Sequence, residues 1–339
     1  APDDATEEAP AAEAGSEADV ESLLGVDPLC VEVGYDLIAA VGADQPGGLL
    51  EKIKGLRRQI AGDLGFVLPP VRVRDNLQLA PDAYEIKLRG VRIAGGRVPR
   101  GRMLALDAGA TRQIEGETTK DPAFGLPAVW IAPEAADEAR SAGYTVVDPP
   151  SVLSTHLMEV IHRNAAELLG REDVARLIDH LQRSHPKAVA ELVPERLTVG
   201  EVQRVLQGLL AEGVPIRDLP LIVEALADTA SRTRETMPLV ESVRRALGRS
   251  IVAPHVGGDG VLKAVALSPR VEDELTSALS PGDAGESSGG LTPNRARELV
   301  GRLTTGVASA GSQVSVAVNP RLRPYLSTLL RQHLPHTPV

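Results

Sequence analysis

The chain has 339 residues, of which 43% are hydrophobic and 24% charged, values typical of a globular protein with room for two or three domains. Its formal net charge of −10 argues against general binding to nucleic-acid phosphates, which depends on an excess of Lys and Arg. The sequence contains no run of about 18 apolar residues, so no segment is predicted to span a bilayer.

The N-terminal 24 residues are strongly acidic. They carry eight carboxylates and neither Lys nor Arg, and residues 1–19 have almost no apolar bulk. Such a stretch buries too little surface to fold alone and is predicted to be a flexible linker or tail. Val20, Leu23 and Leu24 follow as a short apolar set that can dock on a neighbouring surface. Because the chain opens on Ala rather than Met, we expect it to be part of a longer protein.

The first hundred residues alternate between strand and helix patterns. LCVEV at 29–33 predicts a strand, and apolar residues spaced three and four apart predict a helix from Leu49 to Leu64. VRVRD, YEIKL and VRIAGGRV predict further strands, the last two joined tightly at Arg89-Gly90. A β-α-β opening followed by antiparallel strands indicates an α+β domain.

A small unit at about 100–148 is predicted to be inserted in this domain. Its strands are RMLALD, AVWI and YTVV, with one short helix, and the intervening Gly-, Thr- and Pro-rich stretch has no period. Aromatic residues make up only 2% of the chain, yet DPAFGLPAVW holds Phe124 and Trp130. Trp130 alternates with its strand and is predicted to be core. Phe124 either presents an exposed ring or folds back to cap its own domain.

The second half is predicted to be mostly helical. An amphipathic helix is expected from Ser151 to Leu169, and residues 171–249 carry little but helical patterns. The remainder mixes strands and helices around a spacer at 281–290. The last helix is expected to be capped by Asn319, with Pro320 at its first position.

Few residues suggest chemistry. The single cysteine, Cys30, lies in an apolar strand, is predicted to be a small core residue, and suggests a reducing compartment. The histidines lack metal-ligand spacing, and His156 and His162 are expected to be solvated or to cap helices. A helix-turn-helix at 198–229 is disfavoured because acidic residues outnumber arginines there, so a helical scaffold is the better reading.

Several phrases together resemble the cytoplasmic domain of the FlhA family, the export-gate proteins of flagellar and virulence type III secretion. They include PLCVEVGYDLI, GFVLPPVRVRDN, DPAFGLPAVWI, HRNAAELLGRED and VLQGLLAEGVPIRDL. The likeness runs in order from Asp27 to near the C-terminus. The flagellar branch is the closer likeness, and an injectisome paralogue is the alternative.

The resemblance implies an α+β fold of several subdomains. A mixed β-α-β subdomain would contain an inserted small α/β subdomain, followed by a helical subdomain and a C-terminal α/β subdomain. The expected limits are 1–26 for the acidic linker, 27–99 with 149–168, 100–148, 169–248, and 249–339. An N-terminal membrane region, absent from this sequence, would anchor the protein at the cytoplasmic face of the bacterial inner membrane.

The resemblance also implies a binding role without catalysis, cofactor or metal. Family members form a nonameric ring and bind export chaperone–substrate complexes. They also bind components of the export ATPase complex and the substrate-specificity switch protein; nucleic acid is not an expected partner.

The family's chaperone-docking motif falls on Asp121, Phe124 and Thr155. Thr155 is predicted to lie on the side of its helix opposite the apolar stripe. An aromatic ring in an aperiodic loop suits a docking anchor, so with the resemblance we expect Phe124 to be exposed. Asp121 would select a basic or hydrogen-bonding group of the partner. Gly34, at a strand end, would be either a hinge or a turn, and Val20, Leu23 and Leu24 would dock the linker on a neighbouring subunit.

Overall fold

The computed structural model describes residues 25–38, 48–107, 109–279, 291–311, 314–334 and 337–339. The chain divides into two compact units. The first comprises the described part of Ala1–Leu56 with Pro69–Val160, and the second comprises Arg57–Leu68 with the described part of Ile161–Val339. No helix in the described ranges is both long and apolar enough to cross a membrane.

The first unit contains a sheet built around the predicted β-α-β opening. Its elements are β1 Leu29–Val33, α1 Leu49–Leu64 (which continues into the second unit), β2 Val71–Asp75, β3 Ala83–Leu88 and β4 Val91–Arg97. The strand order is β2-β1-β3-β4, with β1 parallel to β2 and antiparallel to β3. Arg89 and Gly90 both adopt positive φ, 48° and 81°, and make the predicted tight connection.

Burial in this sheet follows the sequence alternation. Leu29, Val31 and Val33 point to one face and are at most 2% exposed. Cys30 points to the other face, yet it is only 6% exposed, so its predicted place as a small buried residue is confirmed.

A second four-stranded sheet completes the first unit. Its elements are β5 Met103–Asp107, β6 Glu117–Lys120, β7 Pro127–Ile131, α2 Ala136–Ser141 and β8 Tyr144–Val147. The strand order is β6-β7-β5-β8, all antiparallel. Trp130 on β7 is 4% exposed and lies in the core as predicted. Strand β6 was expected to be irregular; its sequence, ETTK, has no apolar residue, so no hydrophobic alternation marks this edge strand.

The helix expected from Ser151 to Leu169 is broken in two. Helix α3 spans Pro149–Arg163 and α4 spans Ala165–Leu168, because Asn164 leaves helical geometry at φ −112° and ψ 18°. The apolar stripe is buried as predicted.

The second unit contains a helical bundle. Its helices are α5 Arg171–Ser184, α6 Pro186–Leu192, α7 Val199–Ala211, α8 Leu219–Ala230, α9 Thr236–Ala246 and α10 Gly248–Val252. The short helices α6 and α10 were not predicted. Helix α8 buries Leu219, Ile222, Val223 and Leu226, so it is a core helix and not the exposed recognition helix that the DNA-binding alternative requires.

The C-terminal part of the second unit has its own core. Its elements are β9 Ala264–Ala266, α11 Pro269–Leu279, α12 Pro293–Ala310, β10 Ser315–Ala317 and α13 Arg323–Leu330, with β9 parallel to β10. The last helix begins at Arg323, three residues later than Pro320. Asn319 instead closes a turn, in which its Oδ1 accepts a hydrogen bond from the Arg321 N–H at 3.0 Å.

Candidate docking site

Residues 121–126 form a hairpin loop, here called the docking loop, between β6 and β7. The Asp121 N–H donates to the Leu126 carbonyl and the Gly125 N–H donates to the Asp121 carbonyl, both at 2.8 Å. The Asp121 side chain also accepts the Phe124 N–H at 2.7 Å. Gly125 has φ +70°, a conformation that favours glycine. These bonds fix the loop backbone locally.

The docking loop turns the side chains of Phe124 and Leu126 outward and its carboxylate inward, while Ala123 is buried. The Phe124 ring is 54% exposed and Leu126 is 47% exposed. The ring is therefore exposed, as the resemblance implied, and does not fold back to cap its own domain. Asp121 is only 6% exposed, which differs from the expectation that its carboxylate is offered to a partner. In the structure, the Asp121 carboxylate accepts a hydrogen bond from the Phe124 N–H and so holds the backbone at Phe124.

A buried Tyr–His pair joins β3 to α3. The Tyr84 hydroxyl on β3 lies 2.6 Å from Nδ1 of His156 on α3, and the two rings meet edge to face. Burial raises the pKa of Tyr84, and the negative charge of Asp121 raises it further. Tyr84 therefore stays protonated and can donate to the imidazole.

His156 corrects a sequence expectation. It is 6% exposed, neither solvated nor at a helix end. Its position, three residues after Leu153 and four before Val160, falls within the apolar stripe of α3 and is the signal that could have located it. Thr155, the next residue along the same helix, is half-buried. The structure thus gathers Tyr84 and His156, which the sequence did not suggest, near Asp121.

Gly34 occupies a place where a side chain does not fit. Its φ of −71° and ψ of 166° are accessible to any residue. A Cβ built there would lie 2.2 Å from the Ala80 carbonyl oxygen and 2.6 Å from that of Pro81. Close backbone approach, not turn conformation, therefore requires glycine. A hinge role for Gly34 stays a prediction.

The other predicted site residues, Val20, Leu23 and Leu24, lie outside the described residues, and their docking stays a prediction. Among the residues that the structure describes, no group of three or more His, Cys, Asp or Glu side chains is arranged to hold a metal ion.

Fold and sequence together define the class of protein. The family model described as the FHIPEP family matches residues 1–339, and the chain belongs to this family. The Bacillus subtilis (strain 168) flagellar biosynthesis protein FlhA is 40% identical over 341 residues, 98% of this chain and 50% of the relative. The FlhA of Salmonella typhimurium is 39% identical over 314 residues, 92% of this chain and 45% of the relative. The chain thus spans about half the length of these relatives.

Solved structures share the fold. The Chlamydia pneumoniae CdsV protein superimposes with a TM-score of 0.79 at 23% identity, covering 93% of this chain and 92% of that one. Nonameric EPEC SctV-C gives a TM-score of 0.74 at 21% identity, covering 93% of both chains. CdsV in a CdsV–CdsO complex gives 0.78 at 23% identity, covering 92% of this chain and 94% of that one. The predicted α+β fold of several parts is confirmed.

Proposed function

We propose that this chain is the cytoplasmic docking platform of a flagellar type III export gate, without catalytic activity of its own. It binds export chaperone–substrate complexes beside the docking loop, in a cleft between the predicted subdomains 27–99 with 149–168 and 100–148. Membership of the FHIPEP family and relatives 39–40% identical that are named flagellar biosynthesis proteins support this proposal. The full-length protein would sit at the inner membrane, with this part on the cytoplasmic side.

The observation that carries the proposal is the exposed Phe124 ring on a backbone held by its own hydrogen bonds. An aromatic side chain that is exposed alone and buried in a complex supplies large apolar area for a small loss of side-chain freedom. Because the Asp121 carboxylate already fixes the Phe124 N–H, little backbone entropy is lost on binding. Thr155, half-buried on α3, would supply a hydroxyl to the same partner.

Calorimetric titration with a purified chaperone–substrate complex tests the site. Phe124→Ala should weaken binding by about 2 kcal/mol, roughly 30-fold in Kd, while leaving thermal unfolding unchanged. Leu77→Ala, which removes a 77% exposed apolar side chain from the same unit, is the matched control and should bind as the parent does. Equal affinity of the Phe124→Ala variant and the parent would refute the assignment.

Two substitutions of Asp121 separate support of the loop from direct contact. Asp121→Asn keeps an oxygen that can accept the Phe124 N–H, so it should retain most of the affinity; Asp121→Ala loses that acceptor and should weaken binding about tenfold. If the Asn variant binds as poorly as the Ala variant with its fold intact, the carboxylate itself contacts the partner.

Assembly and the remaining partners belong to the same proposal. The nonameric rings solved for SctV-C and the CdsV–CdsO complex support a homo-nonamer and binding to the export ATPase complex. Docking of the substrate-specificity switch protein, and of Val20, Leu23 and Leu24 on a neighbouring subunit, is proposed from the resemblance. Sedimentation velocity tests the ring: Leu23→Asp with Leu24→Asp should shift the distribution towards monomer, and an unchanged distribution would contradict linker docking.

The flagellar branch is favoured over an injectisome role. Flagellar relatives reach 39–41% identity, whereas the solved injectisome-type neighbours share 21–24%. Restoration of motility in a flagellar export-gate deletion strain by the full-length protein would support the flagellar role, and restoration of virulence secretion alone would refute it.

A further inference from the structure

The solvent-facing side of the first sheet carries a set of cations. Register places Cys30 between Arg72 of β2 and Lys87 of β3, and Lys87 lies opposite Arg92 of β4. Arg74, two residues beyond Arg72, points the same way. Arg72, Arg74, Lys87 and Arg92 define the arginine face.

The arginines of this face lie farther out than its carboxylates. The side chains of Arg72, Arg74 and Arg92 are 68%, 63% and 62% exposed. Their partners Asp27 and Glu85 are only 24% and 17% exposed. A ligand that approaches the sheet therefore meets guanidinium groups first, and a negatively charged ligand suits it.

The carboxylates do not fully neutralise the arginine face. Asp27 alone serves two arginines: one Oδ lies 3.5 Å from Nε of Arg72 and the other 2.6 Å from Nη2 of Arg74. Lys87 pairs with Glu32 at 2.7 Å, and Arg92 pairs with Glu85 at 3.2 Å. One positive charge is left over, and it lies at the Asp27 end of the sheet.

The acidic segment, residues 1–24, supplies the matching charge. It has eight carboxylates and no basic residue, and it ends three positions before Asp27. An extended chain covers about 3.3–3.6 Å per residue, so Glu21, six positions before Asp27, has a reach of about 20 Å. Four strands spaced about 4.8 Å apart span about 14 Å, so every strand of the arginine face is within reach. A tether this short gives an effective concentration of about a millimolar, so weak ion pairs suffice.

We propose that the acidic segment docks on the arginine face of its own subunit when that subunit is alone. Docking there holds Val20, Leu23 and Leu24 close to their own sheet, so assembly would exchange this contact for one with a neighbour. The replacement of this contact by one with a neighbouring subunit rests on the proposed ring assembly. Docking of the segment within a single subunit does not depend on that assembly. The segment thereby restrains self-association until subunits are brought together.

Fluorescence anisotropy of the full chain tests the proposal. A dye is attached at Ser16→Cys in a Cys30→Ala background, and the protein is held at nanomolar concentration. At low salt the anisotropy should exceed that of the same labelled protein in 1 M NaCl, where the Debye length is about 3 Å, and this difference is the excess anisotropy. The same dye on a synthetic peptide of residues 1–24 should show no such salt dependence.

A matched pair of variants locates the contact. Arg72→Gln with Arg74→Gln should abolish the excess anisotropy at low salt, because it removes both cations at the Asp27 end and leaves the face with more carboxylates than cations. Arg112→Gln with Arg140→Gln removes two arginines that are 57% and 54% exposed elsewhere in the same unit, and should leave the excess unchanged.

Three results would overturn the proposal. In the first, the Arg72/Arg74 variant and the parent have equal anisotropy. In the second, the Arg72/Arg74 and Arg112/Arg140 variants lose equal amounts of the excess anisotropy. In the third, the excess develops only as the protein concentration rises. The last result would indicate docking on another subunit. Chaperone titration at the docking loop is independent of all three, so failure here and failure of the proposed function are distinguishable.

Discussion

Removing Arg323 should destabilise the second unit more than the loss of any surface ion pair. The Arg323 guanidinium donates to Glu241 through Nε at 2.8 Å and to Glu212 through Nη1 at 2.8 Å. Arg244 also pairs with Glu212, at 2.8 Å. The side chains of Arg323, Glu212 and Arg244 are 12%, 12% and 10% exposed, and that of Glu241 is 22% exposed, so the network is largely shielded from water.

The size of the effect follows from which charges lose a partner. Breaking a buried pair by deleting one member costs about 3–5 kcal/mol, because a charge is left uncompensated. In Arg323→Met, Glu212 keeps Arg244 and Glu241 has the most access to water, so the lower end applies, about 3 kcal/mol. For a unit of this size that corresponds to a fall in Tm of about 6–12 °C.

Differential scanning calorimetry and urea unfolding of the parent and variants measure the loss. Arg302→Met is the control, since Arg302 is 70% exposed and lies 3.9 Å from Glu298, and it should change the unfolding free energy by under about 0.5 kcal/mol. Arg323→Met with Glu241→Gln should recover a large part of the loss by removing the stranded charge. A loss below about 1 kcal/mol in the single variant would refute the assumption that the network is energetically buried.

Three further predictions concern the first unit. Gly34→Ala should lower the unfolding free energy, measured by thermal unfolding, by about 1–3 kcal/mol, because its Cβ would meet backbone carbonyls. Gly55→Ala is the control: a Cβ there has nothing within 4 Å, so this variant should stabilise α1. Equal effects of the two substitutions would contradict the packing argument. Tyr84→Phe deletes a buried hydrogen bond and should lower the urea unfolding free energy by about 1–2 kcal/mol; no change would show that the bond contributes nothing. The Lys87 hydrogen bond lowers the pKa of Glu32, so the stability from this pair is present above about pH 4.3 and is lost as the pH falls through the depressed pKa. In Glu32→Gln the unfolding free energy should therefore fall less steeply at acidic pH than in the parent. Equal slopes in the two proteins would refute this linkage.

Strands with alternating apolar residues were predictable because burial follows the pleat. LCVEV and AVWI carry that signal, and Val31 and Trp130 are buried accordingly. Strand β6 has no such signal, because its sequence ETTK contains no apolar residue. It lies at the edge of its sheet and is paired with β7. Sequence periodicity reports burial, so it does not detect an element held by backbone pairing alone.

The site was predictable in its exposed part and not in its buried part. The aperiodic loop left open whether the Phe124 ring is exposed or folds back, and the family resemblance favoured exposure. The contacts behind the ring join residues far apart in sequence. Tyr84 and His156 are separated by 72 positions, and their hydrogen bond depends on tertiary packing. The inward turn of Asp121 likewise depends on where the neighbouring backbone N–H groups point.

The hydrogen bonds of the docking loop close a ring of six residues. Asp121 and Leu126 are joined across the base of the loop, and Asp121 also holds the Phe124 N–H, so these local bonds hold the backbone at Phe124. A head-to-tail cyclic peptide with the sequence DPAFGL would need only a short linker to reproduce this shape. The same sequence that presents the ring on the protein is therefore a starting scaffold for a competitor of its own partner.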